Sequence, residues 1–482
     1  MIVLKFGGTS VANAERVRES ARLAVTQAAS RVIVVSAASG VTNLLLEAAR
    51  AAGSGSDPAM HRAVRTIREI HGEIVAGLTD STERQSATAL LDGLYEQLDA
   101  TLVDIRSTAE LSPRHSDRIV SFGEKSMSVL MAATLRDVGT PATHVFADTV
   151  IGTDDRYGGA RLDRARTRAN AQAVIRPLID EGQTVVVTGF IGHAPDGSTT
   201  TLGRGGSDYS ATILGAALDA DEVQIWTDVP GVLSADPRQV RAARVIPQIS
   251  YEEAQELAHF GAKVLHPRTI RPAVARNIPV RILSTYEADK PGTVVTREAL
   301  GDGVKAVTAL KGLLLLTIDV QEMEDLAGAA AGVFSTLHSD GAEVAFAGQA
   351  SSRRRMTYLV DGVTGGCVRL RERVQAVVEE FEAEIHCTDR VALIAAVGAG
   401  AAGQPGVISQ MLGTLEREGI PVLAMNQQDA NVALVAAVPE DRVEAGVIAL
   451  HRELVEATIP APVTTQRRRR RSSLLDEPIR VG

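Results

Sequence analysis

With 482 residues, 45% of them hydrophobic and 23% charged, the chain is too long for one core and has the profile of a soluble α/β protein of roughly two to four domains. The formal net charge of -9 argues against a nucleic-acid partner, no run reaches the ~18 apolar residues of a membrane span, and the opening MIVL is too short for a signal-peptide core. A cytoplasmic protein is the expectation. Its two cysteines, Cys367 and Cys387, suit a reducing compartment, since they give neither a disulfide framework nor a CxxC metal pattern.

The chain begins with a strand, IVLKF, that stops at Lys5 and runs into Gly7, Gly8, Thr9 and Ser10, with a helix following from about Asn13. Open α/β sheets bind ligands at the carboxyl ends of strands, where glycine lets the backbone approach a phosphate. The alternative is a tight turn with an exposed lysine. Lysine is scarce here: of 50 basic residues only Lys5, Lys125, Lys263, Lys290, Lys305 and Lys311 are not arginine. A bias that strong replaces lysine wherever the two are interchangeable, and they are not interchangeable where a compact ammonium must meet phosphate oxygens.

Further short β-branched runs follow: RVIVVSA, PATHVFA, TVVVTGFIG, EVQIWTDV and VRILS. They alternate with Ala-, Arg- and Glu-rich helical stretches such as ERVRESARLAVTQAA. This alternation predicts an α/β domain with a largely parallel sheet covered on both faces. GSGSDP and HAPDGSTT are surface loops by composition. SFGEKSMSVLMAATL places Glu124 at the start of an apolar-periodic helix, as a partner of the helix dipole or, facing a site, as the holder of an amino-acid ammonium.

In TTTLGRGGSDYSATILGAAL, Gly203, Gly205 and Gly206 bare the backbone amides, Ser207 or Asp208 caps the next helix, and the helix N-terminus favours an anion. Arg204 offers a fork for carboxylate or phosphate, while Asp208 suits a cation, either a lysine ammonium or Mg2+. In IWTDVPGV a strand ends at Thr227 and Asp228, as a nucleotide pocket requires. FGAKVLHP sets Lys263 at a glycine bend, with His266 as a packed or capping residue.

A different grammar begins near Val304. LLLTIDV and LAGAAAGVFSTLHSDGAEVAF recur 78 residues later as LIAAVG and QPGVISQMLGTLEREGIPVLAM, with Gly328 matching Gly406 and Gly341 matching Gly419. Each copy reads as strand, loop, helix, Gly-capped turn, strand and a further strand, giving two α+β modules side by side. A boundary falls within EADKPGTVVTREALGDG, and a tail follows residue 458. Its Arg467–Arg471 run is either a solvated tail or a docking patch.

KFGGTSV, VVSAASGVTN, SFGE, TTLGRGGSDYSA, IWTDVPGV with DPR, and FGAKVLHP, in that order, resemble the motif set of the aspartate kinase (aspartokinase) family of the amino-acid kinase superfamily. The resemblance covers nearly all of residues 1–295, and the paired repeats resemble that family's tandem ACT regulatory domains. It implies a three-layer αβα sandwich over 1–295, βαββαβ modules over 304–458, and a basic tail over 459–482. It implies ATP-dependent phosphorylation of the β-carboxylate of L-aspartate, the first step toward lysine, threonine and methionine, with ATP and Mg2+ as cofactors and a homodimer built through the ACT pair.

By position, the resemblance implies that Lys5, Gly7 and Gly8 contact the ATP phosphates and that Thr42, Glu124, Arg204, Gly205, Gly206 and Ser207 bind aspartate. Asp208 would organise the catalytic lysines Lys5 and Lys263, and Thr227, Asp228, Arg238, Lys263 and Val264 would surround the nucleotide. No protein-built metal site is implied. Two positions depart from the family pattern: Leu233 stands where a tyrosine often follows the PG turn, and Ala345 where an effector-binding acid is expected, which puts feedback inhibition by lysine or threonine in question.

The literal GxGxxG at Gly398, Gly400 and Gly403 is set aside as a dinucleotide site, because the first repeat lacks the glycines and too little chain follows for a Rossmann domain. The rival functions are an ACT-based amino-acid sensor with weak catalysis, and a sibling kinase acting on glutamate, acetylglutamate or carbamate.

Overall fold

The structure is a computed structural model and describes residues 1–262, 266–298, 300–320, 326–350, 355–363, 365–379, 383–401, 403–427 and 432–457. The expected tail after residue 458, with its arginine run, lies outside the described residues.

The first part carries strands β1 (Ile2–Phe6), β2 (Arg31–Val35), β3 (Ala142–Val145), β4 (Thr184–Thr188), β5 (Ile191–His193), β6 (Thr199–Thr201), β7 (Glu222–Thr227), β8 (Gln248–Ser250), β9 (Val280–Ser284) and β10 (Thr293–Thr296). Eight of these form one sheet in the order β3-β4-β2-β1-β7-β9-β10-β8, parallel except where β10 meets β9, while β5 and β6 pair as a hairpin around the HAPDGSTT loop. Alternate residues feed two cores, as a strand's period of two requires. Val3, Val34, Val187 and Ile225 pack with the helices Arg164–Asp180 and Gly206–Leu218. On the other face Leu4, Phe6, Val35 and Trp226 pack under the helices from Ala14 to Asp137.

Trp226, among the largest fully buried side chains, stacks on Phe6 at 6.2 Å between ring centroids and fastens β7 to β1; truncating such a residue costs about 3–5 kcal/mol. β1 lies between β2 and β7, both parallel to it, so the carboxyl ends of the three strands and the loops that follow them lie side by side at one edge of the sheet.

Two local expectations are corrected. Glu124 does not start its helix: the helix runs Pro113–Asp137, opened by Ser112, whose hydroxyl accepts the His115 amide, and by Pro113, which is compatible with a first turn. Glu124 therefore sits mid-helix, far from the dipole terminus. Nor does Ser207 or Asp208 cap the helix Gly206–Leu218; the cap position is Gly205 at φ 70°, a left-handed conformation that glycine adopts without strain.

The second part is one six-stranded antiparallel sheet of β11 (Ala306–Val320), β12 (Glu343–Ala350), β13 (Arg355–Asp361), β14 (Ala383–Val397), β15 (Ala424–Gln427) and β16 (Ala433–Pro439), in the order β12-β13-β11-β14-β16-β15. The repeat elements appear as read, with Gly341 and Gly419 in left-handed turns after the helices Leu326–Ser339 and Val407–Arg417. The modules, however, interleave rather than follow one another. β11 and β14 pair along their lengths across a register shift near Leu310–Leu315. Beyond it Leu314–Asp319 pair with β13, whereas Ala306–Leu310 lie beside the segment of β14 that pairs with β16. The second module thus takes its outer strand from chain that precedes the first. Ala345 falls at a register shift between β12 and β13.

The expectation of no disulfide is also corrected: Cys367 and Cys387 are bonded, with Cα atoms 5.6 Å apart, and tie the helix Gly366–Val378 to β14. Their sequence separation of 20 carries no motif; the helix packing back onto the strand brings them together. Among the described residues, no helix is long and apolar enough to cross a membrane.

The GxGxxG stretch is structural. A side chain at Gly398 would run into the Gly303 carbonyl, and the amides of Ala401 and Gly403 are used within the turn. Gly398→Ala is accordingly expected to destabilise the protein by about 2–3 kcal/mol, read as a lowered urea midpoint.

Candidate active site

A cleft of about 610 Å³ opens at the carboxyl ends of β1 and β2. It gathers Lys5, Gly8, Thr42, Glu124, Arg204, Gly205, Gly206, Ser207 and Asp208, which are scattered over two hundred residues of chain. At Gly8 a Cβ would sit 2.9 Å from the Ala37 carbonyl oxygen, so only glycine lets this turn close against the loop after β2. Gly206 is similarly pressed against Phe190.

Lys5 projects from β1 toward the helix Gly206–Leu218, and its Nζ lies 2.6 Å from Asp208 Oδ1. The residue is only 8% exposed, and a buried ammonium without a counter-charge is costly. Asp208 therefore holds a cation, as its chemistry suggested, and that cation is a lysine. Lys125, Lys290, Lys305 and Lys311 are ion-paired as well, with Asp148, Glu287, Glu253 and Glu444, but Lys5 alone among the described lysines lines this cleft. Ser207 and Asp208 sit in the first helical turn, whose amides have no intrahelical acceptor and favour an anion. Arg204 stands exposed at the cleft's edge.

Glu124 is the cleft's buried carboxyl, 4% exposed. Burial pushes its pKa up to about 8, opposed by the Ala37 amide, which donates to Oε1 at 3.1 Å. Its Oε2 is buried with no hydrogen-bond partner. A buried acceptor left open in a cleft is poised for a donor from a ligand, and a ligand ammonium would restore its ionised form.

A second cleft, about 380 Å³, lies beside the end of β7 and is lined by Thr227, Asp228, Leu233, Asp236, Arg238 and Ala262. Thr227 Oγ1 donates to Asp228 Oδ1 at 3.2 Å, and Arg238, its side chain 83% exposed, pairs with Asp236 at 2.6 Å. The Gly7 amide donates to the Trp226 carbonyl at 3.2 Å, and a Cβ at Gly7 would lie 3.5 Å from Lys5 Nζ. Lys263 and Val264 lie outside the described residues, directly after Ala262. His266 takes the capping role, its Nδ1 accepting the Arg268 amide at 3.2 Å.

Sequence reasoning missed the Ser36–Gly40 loop as a wall and Phe190 as a lining residue. Phe190 adopts φ 69°, uncommon for a bulky residue, and its amide donates to Ser210 Oγ at 2.9 Å. The signal available was TGFIG, an aromatic wedged between glycines at a strand end.

A mainly parallel αβα sandwich with an anion-favouring helix start and a paired lysine at its central strand, followed by an antiparallel α+β sheet, defines an amino acid kinase carrying a regulatory module. The family profile for the amino acid kinase family matches residues 1–284, and that for an ACT domain matches 394–454. Lysine-sensitive aspartokinase 3 of Escherichia coli is 33% identical over 461 residues, covering 95% of this chain and 99% of that protein. The chloroplastic bifunctional aspartokinase/homoserine dehydrogenase 2 of Arabidopsis thaliana is 32% identical over 92% of this chain, which spans 50% of that protein. The crystal structure of E. coli aspartokinase III in complex with aspartate and ADP aligns with a TM-score of 0.79 at 32% identity, over 94% of this chain and 99% of that one. The chain belongs to the aspartokinase family.

The raised pKa of Glu124 has a stability consequence. Because the fold disfavours its ionised form, the stability present below the unfolded carboxyl pKa is lost as pH rises from about 4.5 toward about 8. Without substrates, Glu124→Gln should therefore gain in melting temperature relative to the parent between pH 5 and pH 8, the difference growing with pH.

Proposed function

We propose that this protein is an aspartate kinase that transfers the γ-phosphoryl group of ATP to the β-carboxylate of L-aspartate. The observation that carries the reading is the buried Lys5 ammonium, fixed by Asp208 at the edge of a cleft that also holds a buried carboxyl with one oxygen unpartnered and an arginine. Those groups match the parts of the substrate: Glu124 takes the α-ammonium, Arg204 takes a carboxylate, and Thr42 with Gly205, Gly206 and Ser207 closes the pocket.

The nucleotide lies across Gly7 and Gly8 toward Thr227, Asp228 and Arg238, and Lys263 and Val264 keep the nucleotide-binding role that the family resemblance gives them. A carboxylate oxygen of aspartate attacks the γ-phosphorus in line, the bond to the β-phosphate bridging oxygen breaks, and ADP leaves with that electron pair. No general base is required, because the attacking carboxylate is already ionised at neutral pH. Lys5, with Lys263, neutralises charge on the transferred group's equatorial oxygens, which is most of what phosphoryl transfer asks of a protein.

Among the described residues no three His, Cys, Asp or Glu side chains converge as a metal cage. Mg2+ would arrive as part of the nucleotide substrate, where it would reduce the charge on the phosphates. We further propose that the protein acts as a homodimer through its second sheet, in the cytoplasm; a monomer mass at micromolar concentration would refute the dimer.

The first test is acyl-phosphate formation, trapped with hydroxylamine, with aspartate against glutamate. Aspartate-dependent product is expected, and its absence from folded protein would move the weight to an amino-acid sensor. Lys5→Arg should lower kcat by a factor of a hundred or more, since a planar fork does not replace a point charge against Asp208 and phosphate. Because an ammonium binds only the ionised form of Glu124, kcat/KM for aspartate should rise with pH to a plateau above about 8. Glu124→Gln should flatten that rise and raise KM for aspartate more than KM for ATP.

A further inference from the structure

The segment after β7 that carries Asp236 and Arg238 belongs, by packing, to the C-terminal module. Ala235 and Val240 are buried in the same core as Leu450, Leu454 and Val455, and Val447 of the helix Val443–His451 forms part of the second cleft's wall. Beside this shared core lies a polar pin. Ser234 Oγ and His451 Nε2 are 2.8 Å apart, and both residues are 0% exposed. The Arg244 amide donates to Ser234 Oγ at 3.1 Å, and His451 Nδ1 lies 2.9 Å from Glu456 Oε1.

One arrangement of protons satisfies every partner. Nδ1–H donates to the Glu456 carboxylate, leaving Nε2 as the acceptor for the Ser234 hydroxyl, which in turn accepts from Arg244. A serine, a histidine and a carboxylate in this order resemble a nucleophile triad. Burial excludes that reading, since neither Ser234 nor His451 lines a cleft and the hydroxyl oxygen is already an acceptor. Ser234 is held on its backbone too: its carbonyl accepts the Val307 amide at 2.8 Å, and its amide donates to Arg244 O at 2.9 Å.

We infer that His451 is a positioning residue for the nucleotide, fixing the Ser234–Arg238 segment so that one wall of the ATP site is set by the C-terminal helix. The inference rests on the nucleotide reading of the second cleft given above. It makes the nucleotide site composite, with the aspartate cleft independent of the pin: no residue of this helix is among those lining the first cleft.

The test uses the full-length protein and ADP as the probe. His451→Ala and Ser234→Ala should each raise the Kd for ADP and the KM for ATP about tenfold, the loss expected when a buried hydrogen bond is opened, while KM for aspartate changes less than twofold. The double variant should be no worse than either single one, as befits two ends of one bond, and His451→Gln should restore part of the affinity. Ser234→Ala removes one hydroxyl and decides the matter alone if His451→Ala fails to fold. Unchanged ADP affinity in the variants beside normal binding by the parent would overturn the positioning role alone, as would equal losses for both substrates. Failure of the parent itself to bind ADP would overturn the nucleotide reading and this inference together.

Discussion

A lysine ammonium placed at the end of a buried strand has to be neutralised, and much of the first unit is arranged around that requirement. β1 brings Lys5 to the centre of the sheet, and the helix Gly206–Leu218 supplies Asp208 from its first turn. For the carboxylate to reach, the helix must start close to the sheet, which is why its cap is a left-handed Gly205 and its first residue a glycine packed against Phe190. The pair is an unequal arrangement. Asp208 satisfies Lys5 in the resting protein, yet the ammonium still lines an open cleft whose helix-terminal amides attract anions. A phosphoryl group entering there meets positive charge whose desolvation was settled on folding, so little reorganisation is left for the reaction step.

Glu124 is the complementary case. Its burial raises the energy of the charged carboxylate, and one oxygen has no donor. The protein accepts a stability deficit at neutral pH in order to hold an acceptor that an ammonium ligand can satisfy, which is the usual trade between stability and function. Gly123 beside it would place a Cβ 2.7 Å from that of Ala37, so the SFGE glycine is what lets this mid-helix carboxyl come within reach of the loop after β2.

The strands of the first unit were legible because β-branched runs at the right spacing have few other ways to be buried, and the helix Tyr251–His259 is opened by a capping box of Ser250 and Glu253, a start signal that sequence spacing does carry. The residues of the first cleft were legible as motifs. The resemblance implied that they share one site, but its geometry was not legible, because it depends on how the loops that follow neighbouring strands fold against one another. The interleaved second sheet escaped for a related reason: the repeat marks the strands LLLTIDV and LIAAVG but carries no sign that β11 and β14 run on past them and pair with each other. The Cys367–Cys387 bond and the mid-helix place of Glu124 are likewise facts of packing, which spacing along the chain does not encode.

The junction between the two sheets shows how a signal could pass. Glu253, 1% exposed, serves its own helix cap through the Ser250 amide, receives the Lys305 ammonium from the segment entering β11, and accepts the Ala399 amide from the end of β14. Together with the Ser234–His451 contact, this fastens the C-terminal module to chain on both sides of the second cleft. A rigid displacement of that module must break these buried bonds or carry the nucleotide segment with it, and breaking them leaves polar groups buried without partners. Coupling of this kind is reciprocal. On the proposed nucleotide reading of the second cleft, whatever shifts the module would shift nucleotide affinity, and nucleotide binding would shift the module's equilibrium by the same free energy, whether or not Ala345 leaves an effector pocket of the usual chemistry in the first half of the sheet.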